Sequence, residues 1–316
     1  MIRRSKKHRL LIILSIVFGS LFIFMAGCYV VLRKATFAGD KVMYGKRISA
    51  LAHEIRQELF QQVNFEPVTF MTKDNLKIAG ALIKHPQAQS NVLLCHGYRG
   101  GKEFMYGYLD MFPRSNILLF DFRAHGQSEG RMTSIGVLEY KDVIAAARFL
   151  KDTTRTDQQK SLPLIILGLS MGGAALLKAA EVEPDLCDCI IADSVFRSLH
   201  AAVAKVFGAT TGLPNYPFFS IMSRMFNYCA GCDLASLNPV DCVKKITKPI
   251  FFIHSCNDSF IPPKHCIQLY ANAEHKGSKI WIGPKCQHGW LHTYYPEIYK
   301  AKVTKFLSKN VPNYIG

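Results

Sequence analysis

The chain has 316 residues, 49% of them hydrophobic and 20% charged, a balance that supplies a sizeable packed core and excludes an intrinsically disordered protein. The formal net charge is +16, but Met1 to Arg47 alone carries +9 of it. The basic excess therefore flanks one apolar segment and does not point to a nucleic-acid partner.

In chain order, a basic tail over 1–9 holds Arg3, Arg4, Lys6, Lys7 and Arg9. Leu10 to Leu32 follows, LLIILSIVFGSLFIFMAGCYVVL, without a charged residue. At about 1.5 Å per residue it is long enough to cross a hydrocarbon core of roughly 30 Å, so the composition predicts a single transmembrane helix over 10–32. Two competing readings are a cleaved signal peptide and a lipoprotein signal ending at Met25-Ala26-Gly27-Cys28, with the lipid on Cys28. The run continues through Tyr29-Val30-Val31-Leu32, which favours the helix. Basic residues tie on its two sides, and the denser cluster before it predicts a cytoplasmic N-terminus with the remaining chain on the extracytoplasmic side.

Cysteine usage pulls the other way. Nine of the ten cysteines lie beyond the apolar segment, and Cys95 and Cys256 sit in or beside strand-like runs, as small buried thiols do. Cys229-Ala-Gly-Cys232 is a single C-x-x-C, too little for a disulfide framework or a zinc site. No metal and no cofactor is expected.

Residues 33–66 read as a juxtamembrane connector, with helical spacing of Ile48, Leu51, Ile55 and Leu59. A single domain is expected over 67–316. It opens with two β-like runs, Pro67 to Met71 and Lys77 to Ile83, around an Asp74-Asn75 turn. Four continuous apolar runs follow, Asn91–Cys95, Asn116–Phe122, Leu162–Leu167 and Cys189–Ala192, with a helical pattern over Val137–Asp152 between the second and third. Continuous runs of strand length suit parallel strands covered on both faces, so the fold class is α/β, a mostly parallel sheet with helices on both sides. The alternation stops for about fifty-five residues, predicting a helical cap at about 195–248. It resumes with a strand at Ile250–His254, a helix over Pro263–Ala273, a strand at Lys279–Ile282 and a closing helix near Pro296–Leu307.

The strongest chemical signal is Gly168-Leu-Ser170-Met-Gly172, set between the apolar run Leu164–Leu167 and the helix-like Ala174–Ala180. A G-x-S-x-G match in a chain of this length has a chance expectation of only about 0.1. Its position at a strand-to-helix turn is that of a nucleophile elbow, which lifts the serine hydroxyl clear of the backbone. A neutral serine hydroxyl needs a positioned base, and the base a group that holds its tautomer. With the chain order serine, acid, histidine, the acid is Asp258, after the strand Phe251–His254, and the base is His288, after the last strand. Asp193 competes for the acid and His292 for the base; His254 and His265, which flank the acid loop, read as structural, and His125 precedes Ser170 and would break the order. The oxyanion would be held by the N–H of Met171 and by that of Tyr98, in the loop His96-Gly97-Tyr98-Arg-Gly-Gly101. That loop is not a phosphate-binding loop, because His96 and Glu103 stand where the Walker pattern needs Gly and Ser or Thr.

The HGY loop at His96, the run Asp121-Phe-Arg123-Ala-His125-Gly126-Gln-Ser128, the elbow at Ser170, the acid loop at Asp258 and His288 together resemble the α/β-hydrolase superfamily, and within it the serine aminopeptidase-like and Bem46-like hydrolases. The resemblance spans roughly Pro67 to Leu307. It departs at Ala124, where the family usually has Gly, and it implies a structural role for the Asp121–Ser128 loop, with Arg123 paired to Glu139 or Asp142. The expected protein is a membrane-anchored serine hydrolase of acyl esters, lipid-like ones included. A thioesterase or serine peptidase with the same three residues is the alternative, and a non-catalytic membrane scaffold a third reading. The cap aromatics Phe207, Tyr216, Phe218, Phe219, Phe226 and Tyr228 serve either an acyl channel or the cap's own core.

Overall fold

The computed structural model describes residues 63–155, 162–312 and 314, and in the N-terminal part residues 15, 19, 23–30, 32, 33 and 36. Eight strands form one sheet: β1 (Glu66–Met71), β2 (Lys77–Ile83), β3 (Ser90–Cys95), β4 (Ser115–Phe120), β5 (Leu164–Leu169), β6 (Cys189–Asp193), β7 (Ile250–Ser255) and β8 (Lys279–Gly283), in the order β1-β2-β4-β3-β5-β6-β7-β8. β1 and β2 pair antiparallel, as does β2 with β4; from β4 to β8 all pairing is parallel. β3, β4, β6 and β7 are buried along their whole length, which is why they read as unbroken apolar runs.

Helices cover both faces. One core joins α1 (Tyr140–Thr153), α2 (Met171–Val182), the cap and α6 (Lys264–Ala271) to the sheet, through residues such as Val143, Ala147, Leu176, Phe252 and Leu269. The other joins a 3-10 helix (Lys102–Met111), α7 (Leu291–Tyr294) and α8 (Pro296–Asn310), through Met105, Tyr108, Leu291, Tyr299 and Phe306. Parallel strands need such crossovers, and their covering helices place every strand's C-terminal end on one rim.

The cap spans α3 (Leu199–Thr211), a turn at Asn215–Phe219, α4 (Ser220–Ala230), a 3-10 turn (Leu234–Ser236) and α5 (Pro239–Cys242). The even choice for its aromatics resolves into two groups. Phe207, Phe219 and Phe226 are buried in the core that joins the cap to the sheet, whereas Tyr216 and Tyr228 are 82% and 89% exposed. Phe218 packs edge-on against Phe24 of the N-terminal helical stretch, 4.9 Å between centroids.

Most of the expected span over 10–32, and the connector expected over Ile48–Gln62, lie outside the described residues. Among the described residues no helix is long and apolar enough to cross a membrane. Residues 23–30 are helical, and the face carrying Phe24, Cys28, Leu32 and Thr36 turns toward the folded domain while Ile23, Met25, Tyr29 and Val30 are exposed. The carbonyl of Thr36 accepts from the Thr133 N–H at 2.8 Å.

Candidate active site

Ser170 occupies the turn between β5 and α2 with φ 53° and ψ −114°, a strained backbone for a residue with a side chain. The turn is too tight for larger flanking residues. A Cβ on Gly172 would lie 2.4 Å from the carbonyl oxygens of both Cys95 and His96, and one on Gly168 would meet Gly173 Cα at 2.6 Å. The Ser170 N–H donates to the Asp193 carbonyl at 2.8 Å, tying the elbow to β6.

His288 reaches Ser170 from the loop after β8. Its Nε2 lies 2.9 Å from Ser170 Oγ and its Nδ1 2.6 Å from Asp258 Oδ2. The Asp258 side chain is fully buried, and its Oδ1 accepts the N–H groups of Phe260 and Ile261 at 3.0 and 2.9 Å. Burial works to raise its carboxyl, but donors from His254 and His288 outweigh it and hold the group well below the ordinary carboxylate range. The exposed Phe260 ring stands edge-on to His288, 5.1 Å between centroids. The three side chains named from chain order thus meet in one hydrogen-bonded row at the rim.

Asp193 and His292, the competing acid and base, sit elsewhere. Asp193 is fully buried, takes hydrogen bonds from Tyr299 at 2.8 Å, Tyr108 at 3.3 Å and Ser194 at 2.7 Å, and is pushed up by its burial. His292 stacks on Tyr108, 4.0 Å between centroids. His265 accepts the Arg197 N–H at 3.1 Å. His254 does more than hold the core: its Nε2 lies 3.1 Å from Asp258 Oδ2.

Two loops shape the space where an oxyanion would sit. Gly97 lies against the elbow, so close that a Cβ there would be 3.6 Å from Ser170 Cβ, which brings the neighbouring Tyr98 alongside Ser170. Met171 is the first residue of α2, and a first-turn N–H has no partner four residues back in its own helix. His96 is buried; its Nδ1–H donates to the Gly97 carbonyl at 2.8 Å and its Nε2 accepts the Phe122 N–H at 3.0 Å. Burial, with His125 nearby, lowers it to about 3, so the imidazole is neutral and braces the loop. His125 accepts from the Arg99 N–H at 3.2 Å, bracing it from the other side.

Behind these loops Arg123 binds Asp142 at 2.6 Å, one of its two expected partners, and Asp74 of the β1–β2 turn at 2.9 Å. Glu139, the other candidate, instead accepts from the Thr133 and Ser134 hydroxyls and from the N–H groups of Ser134 and Gly136. The loop it holds touches the elbow, with Thr133 Oγ1 4.0 Å from Met171 Sδ. Ala124 adopts φ 60°, a left-handed backbone in which the Gly that the resemblance implies would carry no Cβ penalty. All ten cysteines are free thiols, Cys229 and Cys232 included.

Sheet order, elbow and rim loops together define an α/β-hydrolase. The chain belongs to the prolyl oligopeptidase family (Peptidase_S9), whose model matches residues 129–313. It is 29% identical to the uncharacterized Bacillus subtilis protein YqkD over 83% of this chain and 85% of that one. It is also 22% identical to the protein bem46 of Schizosaccharomyces pombe, over 78% of each. Among solved structures it resembles the Pyrococcus furiosus esterase Pf2001, with a TM-score of 0.65 and 24% identity over 85% of this chain and 97% of that one.

Proposed function

We propose that this α/β-hydrolase is a membrane-tethered serine hydrolase that cleaves acyl esters through an acyl-enzyme on Ser170. The observation that carries the proposal is His288 bridging Ser170 Oγ and Asp258 Oδ2 at 2.9 and 2.6 Å. His288 Nε2 takes the hydroxyl proton as Oγ attacks the acyl carbon, and Asp258 holds Nδ1–H so that the bare nitrogen faces the serine. The N–H groups of Tyr98 and Met171 receive the oxyanion, each worth about 2.7–4 kcal/mol of transition-state stabilisation. His288 then returns the proton to the leaving alcohol. Water attacks the acyl-enzyme with the same base, releasing the acid and restoring the serine.

The uncharged run from Leu10 to Leu32, its basic flanks, and the exposed Ile23, Met25, Tyr29 and Val30 support the tether. A catalytic domain held at a bilayer meets lipid-like acyl esters at high local concentration. A second reading, a peptidase using the same three residues, draws on the prolyl oligopeptidase family match.

The test is fluorophosphonate labelling of the full chain in detergent, with the adduct located by peptide mass. We expect the adduct on Ser170, lost in His288→Ala, and Ser170→Ala should lower ester turnover by four or more powers of ten without unfolding the protein. Wild-type turnover in Ser170→Ala would refute the site. A parallel panel of p-nitrophenyl esters and prolyl p-nitroanilides separates the two leaving-group readings, and alkaline extraction leaves a spanning chain in the membrane pellet.

A further inference from the structure

Asp258 is approached by two histidines, and the proposed mechanism uses one. His254 lies in β7, four residues before the acid, and is fully buried. Its Nε2 faces two oxygens: the Ile261 carbonyl at 2.7 Å and Asp258 Oδ2 at 3.1 Å. A bare nitrogen would set its lone pair against both, so Nε2 carries the hydrogen and shares it between them. The opposite nitrogen, Nδ1, is buried with no hydrogen-bond partner among the described residues. A proton there would strand an N–H in the core, so the hydrogen-bond geometry selects the Nε2–H tautomer.

Ile261 closes the arrangement, since its N–H donates to Asp258 Oδ1 while its carbonyl receives the His254 hydrogen. The carboxylate thereby faces four donors: two backbone N–H groups on Oδ1, and His288 and His254 on Oδ2. Because Oδ2 is shared, the position of His254 decides which of its lone pairs is left for His288.

We propose that His254 is a positioning residue of the hydrolytic site, whose Nε2–H orients Asp258 Oδ2 toward His288 and moderates the pull of the carboxylate on the His288 proton. The proposal rests on the serine-hydrolase reading above. A donor on Oδ2 weakens that oxygen as an acceptor from His288; without it the carboxylate holds the His288 imidazolium more tightly, and the base titrates at higher pH. The other ionisable groups acting on this cluster from elements packed around it include Asp193 at the end of β6, Arg197 just beyond it, Lys205 on α3, Lys264 and His265 on α6 and Cys286 in the loop after β8. All of them stay constant across the variants below.

The experiment is the pH profile of kcat/KM for a water-soluble ester, using the full chain in detergent and normalising each variant by its fluorophosphonate-reactive fraction. His254→Leu removes the N–H and keeps apolar volume. It should move the acid limb up by about half a pH unit and lower the plateau about tenfold. His254→Gln, whose amide nitrogen falls near the original Nε2, should bring the limb back to the wild-type position. If His254→Leu does not fold, His254→Asn stands in for it, because its shorter amide nitrogen matches Nδ1 and does not reach Asp258. A purely structural role would lower the reactive fraction and leave the limb of the surviving enzyme in place, and that result overturns the proposal. Ser170→Ala, run alongside, separates the two levels: retained turnover there defeats the serine-hydrolase reading, whereas an inactive Ser170→Ala with unmoved His254 limbs defeats only the role given to His254.

Discussion

The rim of the sheet and the cap are neighbours built on different rules. At the rim, buried polar side chains are held by directed hydrogen bonds, His254 Nδ1 excepted: Asp258 takes four donors, His96 uses both ring nitrogens, and Arg123 is held between two carboxylates. In the cap the stabilising contacts are apolar, among Phe207, Phe219, Met222 and Phe226, while Tyr216 and Tyr228 face outward. Its polar links to the rim include Lys205, whose ammonium lies 3.4 and 3.5 Å from the carbonyls of Ser259 and Phe260. Positional precision belongs to the rim, where a hydrogen bond fixes direction as well as distance. The cap needs only to fill volume, and that tolerates substitution far better.

The sharpest way to break the contrast is at the elbow. Gly172→Ala would drive a methyl into two carbonyl oxygens at 2.4 Å, backbone that has no free direction to move. We expect a loss of about 4 kcal/mol, beyond the usual range for an added methyl, with at least a hundredfold slower fluorophosphonate reaction. Denaturant melts with a labelling time course measure both, and a near-neutral result would mean that the rim is softer than its geometry implies. In the cap, Phe226→Ala should cost about 3 kcal/mol through lost burial and the cavity it leaves, while Tyr228→Ser changes stability by less than about 0.5 kcal/mol. Equal effects from the two would deny the buried cap aromatics their part in the core shared with the sheet.

Acid distinguishes the regions more gradually. His96 in the fold is lowered to about 3 and His265 to about 4, both chiefly by burial. The unfolded chain takes up those protons near pH 6.5, so stability is full above that pH and declines as pH falls toward the folded values. Between pH 7 and 4.5 the decline should be roughly 2.5 kcal/mol per imidazole, on the order of 5 kcal/mol for the pair, seen as a lower urea midpoint, with amides of the 96–101 loop exchanging faster before those of the cap core. The lowered carboxyl of Asp258 adds its own loss only below about pH 4, where the unfolded carboxyl protonates. A flat midpoint down to pH 4.5 would show that these imidazoles accept protons in the fold.

Strands β3 to β7 are legible because burial on both faces leaves a nearly unbroken apolar run, β8 being only half-buried, and Ser170, Asp258 and His288 because each follows a strand at a turn of recognisable composition. The structure brings those three together. What local pattern could not carry was any contact between side chains distant in the chain. Nothing around Asp74 announces that a hairpin turn will complete the Arg123 site 49 residues away. Glu139 is expected as one of two partners for Arg123, yet it organises the loop against Met171 instead. His254 reads as structural because it flanks the acid loop; its spacing of four from the acid gains meaning only once the loop folds Asp258 back over the strand end. The cap aromatics had no periodicity to sort them, so their two fates needed the packed structure.

The order in which the site is assembled has a consequence for biogenesis. Ser170 and the loops that flank it precede His288 by more than a hundred residues, the interval to the base being 118. As the chain leaves the ribosome, the elbow can form against β3 while its acid and base are still unsynthesised. The hydroxyl stays chemically inert until β7 and β8 add to the edge of the sheet. On the proposed mechanism, a nascent or C-terminally truncated chain would carry the elbow without its base, and turnover would begin only when the last strands dock.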